Sequence, residues 1–446
     1  MLLAGDSGSL VSTALTASPV APLASHDVLV LLLQLSTLLG LALLLGRLAV
    51  RLRMPALVGE LAAGVLLGPS LLAHLAPGLS AWLLPHDPVQ QHLLDAVGLL
   101  GVLLLVGITG MHIDLDLVRR QGVTAAWVSA GGLLVPLAAG VGIGFILPTS
   151  VAGSDRPVFA MFLGVALCVS AIPVISKILL EMRLLHRTVG QLIVSAAAVD
   201  DIAGWLMLSV VSAIATNGLR AGQVVWSVAA LVGVVAVAAV LGRPAVRTTM
   251  RLAGRSADPG VRTAAAVALL LLFAAGTQAL GMEPILGTFL GGILIGSSGL
   301  LDLQWLTPLR TIVMAVLAPI FFATAGLRMD LTALARPAVL LSALVVLLIA
   351  VVGKFVGVYV GARVVRLHHW EALALGAGLN ARGVIEVIVA MVGLRVGILG
   401  TEGYTIIVLI AIVTSLMAPP ILRYAVGRIP VTAEEHEREK AFPRPL

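Results

Sequence analysis

Charge is what this chain has least of. Only 11% of its 446 residues are charged, against 59% hydrophobic, and the mean hydropathy is +1.10. That leaves too little polar surface for a soluble fold of this length. Aromatics are scarce at 4%, while glycine reaches 47 residues, a balance that suits helices packed backbone to backbone in lipid. The single cysteine, Cys168, excludes disulfides within the chain and cysteine-only metal sites; it reads as filler on a buried helix. Met1 to Asp27 contains no Lys or Arg, so it lacks the basic start of a secretory signal. Residues 1–27 are expected to form a loose tail on the outer side. The net charge of +6 does not point to nucleic acid, because the basic residues fall in short loops between apolar runs. No nucleotide-binding motif is present.

Hydropathy yields about thirteen apolar segments, each long enough for a membrane helix. Their cores are 28–49, 54–71, 93–110, 123–147, 158–180, 189–212, 222–242, 262–280, 284–299, 309–327, 337–362, 371–396 and 403–422. The expected fold class is an all-α polytopic membrane protein, its transmembrane domain covering 28–422. Loop charge orients it. With the N-terminus outside, the inner loops carry Arg47, Arg51, Arg53, Arg119, Arg120, Lys177, Arg183, Arg187, Arg243, Arg247, Arg251, Arg255, Arg262, Arg310, Arg363 and Arg366, and the tail from Arg423. The outer loops carry Arg156, Arg220, Arg328, Arg336 and Arg395. This bias of about fourfold is the positive-inside pattern. It places the tail 423–446, with Glu434, Glu435, Glu437, Glu439 and Lys440, in the cytoplasm as a solvated end.

Thirteen spans divide into halves of opposite topology, about 28–212 and 262–422, joined by a linker helix at 222–242. That is the layout of inverted-repeat transporters. The halves share no visible sequence identity, but their irregularities match. The fifth span holds Ser170-Ala171-Ile172-Pro173 at its centre, and the twelfth holds Leu379-Asn380-Ala381-Arg382-Gly383. Two discontinuous helices, each fifth in its half, point to an ion site where they cross.

Few ionisable groups lie deep in a span. Asp200 and Asp201 are adjacent in the sixth, Lys354 is in the eleventh, Arg382 and Glu386 are in the twelfth, and Glu60 is in the second. A carboxylate at the centre of a spanning helix costs ~2.5–3.5 kcal/mol on insertion scales, so two in succession make little sense as structure alone. Asp200 lies ~20 Å of helix from Arg187, and Lys354 ~14 Å from Arg363. Both fall near the midplane, so an ion pair between Lys354 and one aspartate is expected. Neighbouring residues point ~100° apart on a helix, so the other aspartate is expected to face an aqueous cavity. A hard monovalent cation wants oxygen ligands, and carboxylates with freed backbone carbonyls supply them. A proton and a cation competing for one carboxylate would have coupled fluxes.

Arg382 and Glu386, four apart, are expected on one helix face. There they neutralise half-helix ends, each carrying about half a charge, more readily than they carry ions. Glu60 fits either the cytoplasmic mouth of the pathway or a partner for a loop arginine. Pro319 and Gly326 in the tenth span, with Gly64 and Gly68 in the second, read as packing and kink residues. An intramembrane aspartyl protease is excluded, because its two aspartates must converge from different helices on one water.

Several stretches resemble the monovalent cation:proton antiporter-2 family of sodium/proton and potassium/proton exchangers. They are PALVGELAAGVLLGPSLL from Pro55, AAAVDDIAGW from Ala196, APIFFATAGLRMDL from Ala318, VGKFVGVYVGAR from Val352 and ALGAGLNARGVIEVIVAMVGLRVGIL from Ala374. The last resembles the branch that includes plant cation exchangers; other members place an acid directly after the glycine, where this chain has Val384. His112 stands where many members have glutamate. The resemblance implies a homodimer with a dimerisation domain and a core domain, no cofactor, and export of Na+ (or K+) in exchange for H+. It implies that Asp201 binds the transported ion or proton and that Asp200 pairs with Lys354. Two acids at this place imply more than one proton per cation, and the core would move to alternate access. A K+-selective efflux antiporter, or a channel-like carrier of another solute, is the alternative reading.

Overall fold

A computed structural model describes residues 24–436 apart from 53, 85–86, 114, 153–154, 218–220, 257 and 301–302. Most of the expected outer tail, Arg53 and Arg220 in the loops, and Glu437, Glu439 and Lys440 in the C-terminal tail lie outside the described residues.

The helices are α1 (Ser25–Arg51), α2 (Ala56–Leu67), α3 (Leu72–Leu75), α4 (Pro77–Leu83), α5 (Pro88–Met111), α6 (Leu115–Gly144), α7 (Arg156–Cys168), α8 (Ile172–Glu181), α9 (Thr188–Asn217) and α10 (Ala221–Val237). They continue as α11 (Arg243–Ala253), α12 (Pro259–Ala279), α13 (Pro284–Gly296), α14 (Leu303–Ile312), α15 (Ala318–Leu327), α16 (Pro337–Val364), α17 (His369–Leu379), α18 (Val384–Arg395) and α19 (Thr401–Val426). Among the described residues, 11 helical runs are long and apolar enough to cross a membrane. A further candidate is the pair α17 and α18, bent by 45° at its break, and α13 is a shorter apolar helix. Together they coincide with the apolar segments read from the sequence.

Three local differences stand out. The seventh segment does not stop near 242. A π-turn at Ala238–Gly242 carries α10 straight into α11. Arg243, Arg247 and Arg251 therefore sit on a helix rather than in a loop, exposed, with Val246, Met250 and Ala253 buried opposite. Spacing of four lets the arginines reach water while the helix keeps an apolar stripe. Arg119 and Arg120 likewise belong to α6, which kinks at Gly122 (φ 20°) where only glycine is unstrained. Between the second and third segments the chain forms the two short helices α3 and α4.

Packing follows a two-fold rule. Counting apolar segments in chain order, the second packs on the tenth as the ninth packs on the third. The first packs on the second as the eighth on the ninth, and the fourth on the fifth as the eleventh on the twelfth. Each pair becomes its counterpart when seven is added to or subtracted from both numbers. The third pairs with the tenth and the fourth with the eleventh, so these contacts map onto themselves. The helices thereby sort into two bundles. One contains α1, α2, α5, α12, α13 and α15. The other contains α6–α9 and α16–α19. The run α10–α11 spans them, packing on α9 at one end and on α12 and α13 at the other.

Glycine sets how close the key helices come. A Cβ on Gly64 would lie 1.9 Å from the Ala323 carbonyl oxygen, and one on Gly326 would lie 2.2 Å from that of Leu61. Gly131 and Gly357 meet the same way between α6 and α16, at 2.1 Å from each other's carbonyl oxygens. Small residues permitting backbone contact are the usual glue of membrane helices.

Candidate ion-binding site

Two interrupted helices form the site's frame. The fifth segment breaks between α7 and α8, and Pro173 sits in the first turn of α8, where its missing N–H costs nothing. The twelfth breaks between α17 and α18. The breaks touch: the Ala171 amide donates to the Ala381 carbonyl at 3.3 Å, and Ser170 Oγ lies 2.8 Å from the Leu379 carbonyl oxygen. Four half-helix ends thus come together inside the second bundle, with backbone groups freed from helical bonding.

Fully buried side chains occupy those ends. Arg382 lies in the break itself, not on a helix, so it does not share a face with Glu386. This corrects the expectation from their spacing, because an i,i+4 relation holds only along unbroken helix. Arg382 instead reaches back to the other broken helix, donating to the Leu167 carbonyl, and bonds the Ala350 carbonyl of α16 at 3.1 Å. Lys354 Nζ donates to the Cys168 carbonyl at 2.7 Å. Two cations therefore meet the negative C-terminal end of α7. Glu386 is in the first turn of α18 and accepts from the Gly383 amide at 2.7 Å, an acid at a positive helix start.

The two aspartates of α9 have opposite circumstances. Asp200 is fully engaged. Its Oδ1 accepts from Ser129 Oγ at 2.5 Å, and its Oδ2 accepts from Lys354 Nζ at 2.8 Å. Ser170 Oγ is also 2.6 Å from Oδ2. Its one proton can serve Asp200 or the Leu379 carbonyl, not both. Asp201 is equally buried, and neither of its oxygens has a partner at full hydrogen-bond geometry, though the backbone N–H of Ile172 at the start of α8 makes a looser bond to it. Its charged neighbours are Asp200, Glu386 and Lys354. Other unpartnered buried atoms gather at the second break, on Asn380 and Glu386.

Of the residues read from the sequence, Asp200, Asp201, Lys354, Ser170, Asn380, Arg382 and Glu386 are all fully or almost fully buried around the breaks. Asp201 does not line an aqueous cavity of the kind expected for it. Glu60 stands apart on α2, against Gly46 of α1 and within electrostatic reach of Lys177 on α8. His112 caps α5, its Nδ1 2.7 Å from the Ile108 carbonyl oxygen. Ser129 was not anticipated. A serine in an apolar run is visible in the sequence, but which buried acid it meets is not.

Two cavities lie between the bundles, one at each end. One of about 630 Å³ is lined by Val50 and Pro55 beside α1 and α2, and by Val174, Lys177 and Arg423 of α8 and α19. The other, about 440 Å³, is lined by Asp95, Phe321 and Arg328 of the first bundle and by Ile388, Met391 and Arg395 of α18. Asp201 lines neither.

A helical membrane bundle with paired broken helices, a buried ion pair and one acid without a side-chain partner at their crossing is the architecture of a secondary transporter. The chain belongs to the sodium/hydrogen exchanger transmembrane family, which it matches over residues 38–426. It is 30% identical to Cation/H(+) antiporter 20 of Arabidopsis thaliana, covering 87% of this chain and 48% of that one. It is also 30% identical to the Na(+)/H(+) antiporter NhaS4 of Synechocystis sp., covering 89% and 97%. The chain thus spans about half the length of the plant relatives and nearly all of the cyanobacterial one. Among solved structures, the sodium proton antiporter MjNhaP1 from Methanocaldococcus jannaschii at pH 8 shares the fold, with a TM-score of 0.70 at 16% identity, over 90% of this chain and 100% of that one.

Proposed function

We propose that the protein is a secondary antiporter that exchanges Na+ or K+ for H+ at Asp201. The observation that carries this reading is the contrast within one helix turn: Asp200 is saturated by side chains, and Asp201 has no side-chain partner. A buried carboxylate with no side-chain partner is costly, so it is neutral when protonated or holds a cation, and the two states exclude each other. Among the described residues no three His, Cys, Asp or Glu side chains converge. A monovalent cation at Asp201 would draw its remaining ligands from carbonyls freed at the breaks, from Asn380 or from water. Asp200 is the fixed partner of Lys354 rather than a free cation ligand while its oxygens are taken.

The loop charges support an orientation with the end holding Arg51, Lys177 and Arg423 in the cytoplasm and the N-terminus outside. In that orientation the larger cavity faces the cytoplasm, and Glu60 stands on its α2 side with Lys177. Arg382 and Glu386 hold the half-helix ends in place. Two acids beside one lysine favour more than one proton per cation. The second bundle moves against the first to alternate access, and two copies of the chain pair through the first bundle. No cofactor is needed.

The test is proton-gradient dissipation in everted vesicles with Na+, K+ or Li+ added in turn, for wild type and Asp201→Ala. Exchange in wild type that vanishes in the variant supports the reading. Cation-dependent exchange surviving in the variant removes Asp201 from the mechanism, and a cation flux indifferent to pH removes antiport. The related GerN of Bacillus cereus is a Na(+)/H(+)-K(+) antiporter, so both alkali ions belong in the assay.

A further inference from the structure

A cavity lies between the two bundles at each end, and at one of these ends side chains also bridge them. At the end away from Arg51, Glu283 precedes α13 in the first bundle. Its side chain is buried, and it bonds two helices of the second bundle at once. Ser212 Oγ of α9 donates to Oε1 at 2.6 Å, and Arg395 Nη2 of α18 lies 2.5 Å from Oε2. Two neutral contacts lie at the same end. Tyr404 of α19 donates its hydroxyl to the Ala325 carbonyl at 2.7 Å, and the Asp330 amide donates to Thr405 Oγ1 at 3.0 Å. At the opposite end the 630 Å³ cavity separates α1 and α2 from α8 and α19.

We propose that Glu283, with Ser212 and Arg395, is a gate tie that closes the outer end and must open in each transport cycle. This rests on the antiport reading for its role, but not for its test. α9 carries Asp200 and Asp201, and α18 carries Glu386. The tie thus grips the two elements that hold the site, at the ends facing the 440 Å³ cavity that Arg395 lines. Further along the seam Trp205 of α9 meets Phe289 of α13 in an apolar contact, at 6.0 Å between ring centroids. Apolar surfaces can slide with little change in energy. A charged bond is made or broken, which gives the seam two states. Loss of the tie therefore favours the arrangement in which the outer end is open and the inner end closed.

The experiment is hydrogen–deuterium exchange on the full chain in lipid nanodiscs, comparing wild type with Glu283→Gln, Arg395→Gln and the double variant. Each single variant is expected to speed exchange several-fold at 280–287 and 393–400, and to slow it at 172–184 beside the opposite cavity. The double variant should add little, because both changes cut one bond. Loosening confined to the outer end would show Glu283 to be a simple fastener and overturn the proposal, as would no change at either end. Transport in the same variants is measured separately. If wild type moves no cation against protons, the antiport reading fails, while the reciprocal exchange pattern still decides the tie.

Discussion

At the scale of single residues, the site is defined by which charges are compensated. Lys354 is wholly buried and bonds Asp200 and the end of α7 together. Removing one member of such a pair leaves the other uncompensated, at a cost of about 3–5 kcal/mol. Lys354→Met is therefore expected to lower the thermal midpoint markedly, and adding Asp200→Asn should restore part of the loss; scanning fluorimetry of the single and double variants checks this. Asp201 behaves differently, because it has no side-chain partner to strand. Asp201→Ala is expected to leave the melting temperature at or above wild type while exchange falls to background. A large fall in stability would show that Asp201 holds the fold together. Spacing alone could mark Asp200, Asp201 and Lys354 as an odd cluster of charge in lipid. It could not say which aspartate the lysine takes, since that depends on how α16 is rotated against α9.

Among the helices, the distance between α6 and α16 controls the cage around Asp200. Ser129 comes from α6 and Lys354 from α16, and Gly131 and Gly357 let the two backbones touch. Gly357→Val would push them apart. Overpacking of this kind costs about 1–3 kcal/mol or more, and here it also pulls Ser129 and Lys354 from one carboxylate. Both a lower melting point and impaired exchange are expected; Val360→Ile on the exposed side of α16 provides the comparison. The C-terminal segment makes a second element-scale contact. Glu435 is buried against the start of α9, accepting from the Thr188 amide at 2.7 Å and lying 3.1 Å from Arg187 Nε. Burial acts to raise its pKa, but the Thr432 and Thr188 amides and Arg187 outweigh burial and hold it below the ordinary carboxylate value. A lowered folded pKa stabilises above the unfolded value, and that contribution is lost as pH falls through the folded one. The segment is expected to resist proteolysis at neutral pH and to become cleavable in acid below the usual carboxylate range. Glu435→Gln should make it cleavable at neutral pH too.

At the scale of the whole molecule, the prediction concerns voltage. More than one proton per cation means that net charge moves with each cycle. A membrane potential then drives the exchange with about 2.3 kcal/mol per elementary charge per 100 mV. In proteoliposomes, a potential imposed by a potassium ionophore, negative on the side that receives protons, is expected to accelerate Na+ release in wild type. In Asp200→Asn the acceleration should shrink or vanish while exchange continues. An unchanged response would separate Asp200 from the charge balance.

The placement of the apolar segments, and the two interruptions at Ser170–Pro173 and Leu379–Gly383, were legible from the chain alone. Hydropathy, proline and glycine act locally, and lipid demands that each segment satisfy its own backbone. The run of arginines after 242 was misread as loop for the converse reason. Charge signals water but not the shape of the backbone, and a helix can carry arginines on one face into the interface. Only the tertiary structure decided that Arg382 serves the end of α7 rather than its own helix. The same holds for Ser129, which completes the Asp200 cage, and for Glu283, which joins the two bundles. Each is a meeting of residues distant in sequence, and nothing local to either partner specifies the rotation and depth at which their helices meet.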